Sequence, residues 1–163
     1  MHPISRKLAY LAVLALASAL PTACSLVQQA DDLAVAKMPV EQMQATGYLP
    51  LNSDKPGASL HVERYLVPGK YTIVEYFSPY DAPSANLASQ LAQLSAARPD
   101  LAVRTVNINR PEIQGVDWQS PIAQEMQLQS LPYVQIFDPG RNLRAQARPA
   151  LTQVMQWVQG TSH

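Results

Sequence analysis

The 163-residue sequence predicts an α/β fold in which a mixed β-sheet is flanked by helices on both faces. Three observations predict it. A strand–helix–strand unit spans residues 71–108, where β-branched and aromatic runs bracket a helical pattern. A turn at Asp138-Pro139-Gly140-Arg141 joins two further short strands into a hairpin. A closing segment then carries Leu151, Val154, Met155 and Val158 at helical spacing. A parallel crossover plus a hairpin gives a mixed sheet, and the two types of helix need both of its faces.

The elements follow in order. Leu60 to Leu66 alternates like a half-buried strand, and Val67-Pro68-Gly69-Lys70 turns the chain. Tyr71 to Phe77 reads as a mostly buried strand, broken by Ser78-Pro79-Tyr80. A helix is expected from about Asp81 to Ala97, with Leu87, Leu91 and Leu94 on one face, and Arg98-Pro99-Asp100 ends it. Leu101 to Ile108 is a second buried strand. Ser120-Pro121, a good cap and first-turn pair, opens a short helix through Ile122, Ala123 and Met126. Tyr133 to Phe137 and Leu143 to Ala147 are the hairpin strands.

The first residues carry an export pattern. Arg6 and Lys7 precede the apolar run Leu8 to Leu20, which is shorter than the about 20 residues a membrane span needs. Leu20-Pro21-Thr22-Ala23-Cys24 resembles the bacterial lipobox, in which the cysteine receives lipid and becomes the mature N-terminus; Pro21 departs from the usual aliphatic residue. Ordinary cleavage after Ala19 is the alternative, and it would leave Cys24 as an unpaired thiol. The expected organisation is a signal peptide at 1–23, a lipid-anchored tether or partly ordered segment at 24–57, and the domain at 58–163. Tyr48 and Leu49 are the expected contacts between tether and domain, because Pro39, Gly47, Pro50 and Pro56-Gly57 punctuate the rest.

Composition excludes several classes of function. The chain has 12 basic and 12 acidic residues; without Arg6 and Lys7 the mature charge is −2 and gives no basic face for nucleic acid. One cysteine and three scattered histidines (His2, His61, His163) allow neither a disulfide framework nor a Cys/His zinc site. No metal or other cofactor is expected.

Three stretches together are similar to the thioredoxin-like fold family. They are Val74-Glu75-Tyr76-Phe77-Ser78-Pro79-Tyr80 with the long helix after it, Val106-Asn107-Ile108-Asn109, and Leu131-Pro132-Tyr133 at the family's cis-proline position. The resemblance covers about residues 60 to 160. Thioredoxins carry Trp-Cys-Gly-Pro-Cys where this chain has Tyr80-Asp81-Ala82-Pro83-Ser84, so both active-site cysteines are absent. Dithiol exchange needs an attacking thiolate and a resolving thiol, and neither a carboxylate nor an unactivated hydroxyl replaces them. The resemblance therefore implies a redox-inactive member.

Asp81 is expected to cap the helix, and Ser84 to be a small residue on its surface. Glu75 stands where the family often keeps a buried acid; burial would raise its pKa, and Lys70 is a candidate partner. Where many thioredoxins place a groove-lining glycine, this chain has Ala147-Arg148-Pro149. Asp117-Trp118 reads as a loop anchor. The leading expectation is an exported, lipid-anchored adaptor or assembly factor, not an enzyme, which binds an envelope protein through Tyr80, Asp81, Ser84, Leu131 and Pro132. Its membrane contact would be the lipid on Cys24, and Ser25 after the cysteine favours the outer membrane, facing the periplasm. The alternatives are a non-redox catalyst built on Glu75 and Asp81, and a redox partner acting through an unlipidated Cys24.

Overall fold

The structure, a computed structural model, describes residues 47–160. The signal segment, Cys24 and the tether before Gly47 lie outside the described residues.

Five strands make one sheet in the order β1-β3-β2-β4-β5. They are β1 (Gly47–Pro50), β2 (Tyr71–Phe77), β3 (Leu101–Asn107), β4 (Tyr133–Phe137) and β5 (Leu143–Gln146). The helices are α1 (Ala82–Ala97), α2 (Pro121–Glu125) and α3 (Ala147–Gly160). β1 and β2 lie parallel to β3, whereas β4 runs antiparallel to both β2 and β5, so the sheet is mixed as expected.

The sheet begins earlier than the sequence pattern suggested. Gly47–Pro50, inside the segment expected to be a tether or partly ordered, pairs with Ala102 to Thr105 as the edge strand. Tyr48 does contact the body there: its hydroxyl oxygen accepts a hydrogen bond from Thr105 Oγ1 at 3.1 Å. Residues 60–66 are not a strand. Val62–Tyr65 forms a 3₁₀ turn that buries Val62 and Tyr65. Those two positions are three apart, and the three-residue period of a 3₁₀ helix puts them on one side.

Each face of the sheet carries its own core. On one face Leu87, Leu91 and Leu94 of α1 and Ala150 and Val154 of α3 pack on Ile73, Val103, Val134 and Ile136. Full burial of each leucine stabilises the fold by about 1.5–3 kcal/mol. On the other face Val62 and Tyr65 join Ile122 and Ala123 of α2 over Val74, Tyr76 and Val106. Trp118 packs against this second core, as its reading as a loop anchor required.

Arg104 of β3 is fully buried, which its place in an apolar run did not announce. Its guanidinium donates to the carbonyls of Tyr65 (2.9 Å), Gly47 (3.1 Å) and Val103 (3.0 Å). It thus ties β1 and the 3₁₀ turn to the central strand. Desolvation lowers its pKa to about 10, still well above neutrality.

Candidate functional site

Sheet topology gathers the sequence-predicted site at one end of the molecule. Tyr76 of β2 stands opposite Tyr133 of β4, so the chain leaves β2 toward Tyr80 and Asp81 beside the point where it enters β4. That entry is the Leu131–Pro132 bond, which is cis, and both residues are partly exposed. Gln146 of β5 faces Gln135, and Tyr133 Oη donates to Gln146 Oε1 at 3.2 Å. Ala147 and Arg148 therefore reach the same end. The corner comprises three chain segments: 78–84, 131–133 and 146–148.

Asp81 is the N-cap of α1. Its backbone is extended, and its carboxylate accepts the Ser84 N–H at 2.9 Å. Pro83 falls in the first turn, where the missing N–H costs nothing. Capping by Asp is worth about 1 kcal/mol over Ala.

Ser84 differs from expectation. It is fully buried, not displayed on the helix surface. Ser84 Oγ accepts the Ser78 N–H at 3.2 Å and lies 3.0 Å from the Asp81 carbonyl, to which its hydroxyl donates. A cysteine would leave most of this bonding unmade, since sulfur is a weak donor and acceptor. Asp81 and Ser84 thus act as a cap and a buried clasp. Of the five residues expected on the binding edge, Ser84 is the one whose side chain is withdrawn.

Behind the clasp lies a polar chain that sequence reasoning missed. Ser78 Oγ accepts the Tyr80 N–H (3.1 Å) and donates to Asn109 Oδ1 (2.5 Å). Asn109 Nδ2 donates to the Gly115 carbonyl, and Asn109 Oδ1 also faces the Asp117 N–H at 3.4 Å. Asp117 takes both arms of Arg110, at 2.7 and 3.0 Å. The Arg110 guanidinium holds the Asp117 carboxyl below the usual carboxylate range. The signal available in sequence was only that Ser78 and Asn109 follow the two central strands. These bonds fix the corner's backbone from behind.

What remains exposed around Tyr80 is apolar and aromatic. Tyr80 is 52 % exposed, and Pro79, Ala82 and Pro83 surround it in the sequence as exposed residues. Tyr133 is half-buried, with its ring edge-on to Tyr76 at 5.8 Å between centroids. On the far lip, Ala147 holds φ +54°, a left-handed conformation that favours glycine. An alanine here keeps the backbone turn of a glycine while adding a methyl group.

Glu75 is completely buried opposite Thr105 and Val134, on the face that also carries Ile73. Neither of its carboxyl oxygens has a hydrogen-bond partner. Burial raises its pKa to about 9, so the group is neutral at pH 7. Lys70 is not its partner; Lys70 Nζ donates to the Pro99 carbonyl at 2.6 Å. Asp81 does not reach it either, its carboxylate being committed to α1. Among the described residues no group of His, Cys, Asp or Glu side chains could hold a metal ion, and no helix is long and apolar enough to cross a membrane.

No family model and no curated protein matches the chain. Among solved structures it is similar to thioredoxin f2 of Chlamydomonas reinhardtii, at 16 % identity over 71 % of this chain and 97 % of that one, with a TM-score of 0.48. It is also similar to thioredoxin O2 of Arabidopsis thaliana (13 %, 72 % and 96 %, TM-score 0.48) and to thioredoxin f of spinach chloroplast (14 %, 76 % and 94 %, TM-score 0.44). At such identities the likeness concerns fold alone. The mixed sheet, helices on both faces and a cis proline beside the capped start of α1 give this chain a thioredoxin-like fold.

Proposed function

We propose that this chain is an exported, lipid-anchored protein without thiol–disulfide exchange activity, which binds an envelope protein through its corner and serves as an adaptor or assembly factor. The observation that carries the reading is the fate of the two sulfur positions. Asp81 and Ser84 are both spent on holding the start of α1, while Tyr80 and the Leu131–Pro132 bond stay accessible next to them. A corner rigid from behind and apolar in front suits the docking of a peptide segment. Buried Glu75 fits no catalytic role in this reading, because it reaches neither solvent nor Asp81. The lipobox-like run ending at Cys24 supports anchoring, and Ser25 supports the outer membrane.

Crosslinking and pull-down of the mature protein from envelope extracts test the reading. A partner should be recovered by wild type and lost or reduced at least tenfold with Tyr80→Ala. Recovery unchanged by Tyr80→Ala and by Leu131→Ala overturns the corner as the interface. Intact mass of the native protein tests the anchor: acyl chains on Cys24 support it, and an unmodified thiol removes it.

A further inference from the structure

The lip of the corner formed by β5 and the start of α3 is basic, and Asp138 is the one carboxylate whose charge is felt there, through Arg144. Arg141, Arg144 and Arg148 are all exposed within eight residues, and no Asp or Glu occurs from Pro139 to His163. None of the three forms an ion pair with a described residue. The carboxylate nearest in sequence, Asp138, turns its Oδ1 to the N–H groups of Gly140 (2.9 Å) and Asn142 (3.0 Å) and so serves the hairpin turn. The chain as a whole has 12 basic and 12 acidic residues, so these arginines concentrate positive charge locally in a balanced sequence.

The backbone displays Arg144 in particular. Ile136 pairs with Ala145 and Phe137 with Leu143, so the ladder slips at Arg144, which has no partner across the strand. Such a bulge re-aims its side chain and blunts a sheet edge against indiscriminate strand addition. Leu143, beside it, is 47 % exposed. Arg148 follows the left-handed Ala147 at the corner itself.

We infer that the partner's docking segment is acidic, and that it runs from the Tyr80–Pro132 corner along the β5 edge with its carboxylates on Arg144 and Arg148. This rests on the reading of the corner as a protein-binding surface. Two guanidinium forks recognise carboxylates by paired hydrogen bonds, which gives direction and register to an extended chain. The exposed Leu143, at the end of β5 away from Arg148, offers an apolar contact next to Arg144. Anionic lipid would satisfy the same charges and is the competing outcome that the vesicle arm of the test reads.

The test uses a fluorescein-labelled peptide of alternating Val and Glu, a Val/Lys control of equal length, and vesicles of phosphatidylglycerol mixed with phosphatidylcholine. Fluorescence anisotropy with the mature protein should show binding of the Glu peptide only. Binding should weaken at least tenfold in Arg144→Glu/Arg148→Glu and at high salt. Equal binding of the Lys peptide, no binding of the Glu peptide, or binding of vesicles alone overturns the inference. Tyr80→Ala separates the two claims. Loss of Glu-peptide binding in that variant supports a continuous site, whereas retained binding that still needs the arginines keeps the acidic edge and removes the corner.

Discussion

Ser84 Oγ accepts the backbone N–H of Ser78 at 3.2 Å, and this one bond joins the end of the central strand to the first turn of α1. Both residues are fully buried. The first turn of α1 is thereby tied into the frame of the sheet, and the consequences are measurable.

Ser84→Ala leaves the Ser78 N–H buried without an acceptor, at a cost of about 1–3 kcal/mol. Asp81→Ala removes the cap, at about 1 kcal/mol. Because both side chains hold the same first turn of α1, Asp81 through the Ser84 N–H and Ser84 through the Ser78 N–H, the double variant should lose less than the sum of the two. Urea unfolding of all three variants reads this directly; strict additivity would show that cap and clasp act independently.

The frame was only partly legible in the sequence. β2, β3 and β4 were readable because buried strands need unbroken β-branched and aromatic runs, and α1 because leucines recur on one face. Gly47–Pro50 carries no such signal. A four-residue strand containing both Gly and Pro is held by its ladder with β3, the Thr105–Tyr48 side-chain bond and the reach of Arg104 to the Gly47 carbonyl. The alternation from Leu60 to Leu66 was ambiguous, since Val62 and Tyr65 also fit a period of three. At the site, the Asp81 cap was legible from residue type and position, and the cis Leu131–Pro132 bond from the resemblance to the thioredoxin-like family. The burial of Ser84 was not, because it depends on the packing of Ser78 and Asn109, which are close only in space.

Glu75 sets a pH dependence. Its folded pKa of about 9 lies above the ordinary carboxyl value of 4.5, so the native state holds a proton that the unfolded chain releases in between. More protons on the native side means that stability falls as pH rises. The penalty is absent below pH 4.5, grows across the window up to about 9, and is constant above it. The slope within the window approaches about 1.4 kcal/mol per pH unit. Glu75→Gln should flatten that slope in chemical denaturation between pH 5 and 9. A wild-type profile already flat would mean that Glu75 is not neutral in the fold.

Ala147→Gly should stabilise the protein by up to about 1 kcal/mol, the reverse of the usual effect of glycine near a helix. The gain comes from relieving φ +54° at a residue with a Cβ. Thermal or urea unfolding checks the sign, and a loss of stability would show that the Ala147 methyl group packs more than its backbone strains.

Arg148 offers the sharpest separation between stability and recognition. It lies in the first turn of α3, where the helix dipole is positive and where no acidic residue is present. A cation there is unfavourable, and replacing it with a carboxylate should relieve the repulsion and add attraction. Arg148→Asp is therefore expected to raise stability by about 0.3–1 kcal/mol, an effect that shrinks as salt is added. The same change should weaken capture of the acidic peptide, because it reverses the charge that meets the ligand. Opposite signs in the two measurements, from one substitution, would mark Arg148 as kept for binding at the expense of the fold. If Arg148→Asp destabilises the protein and leaves peptide capture intact, the arginine belongs to the packing of α3 and not to recognition.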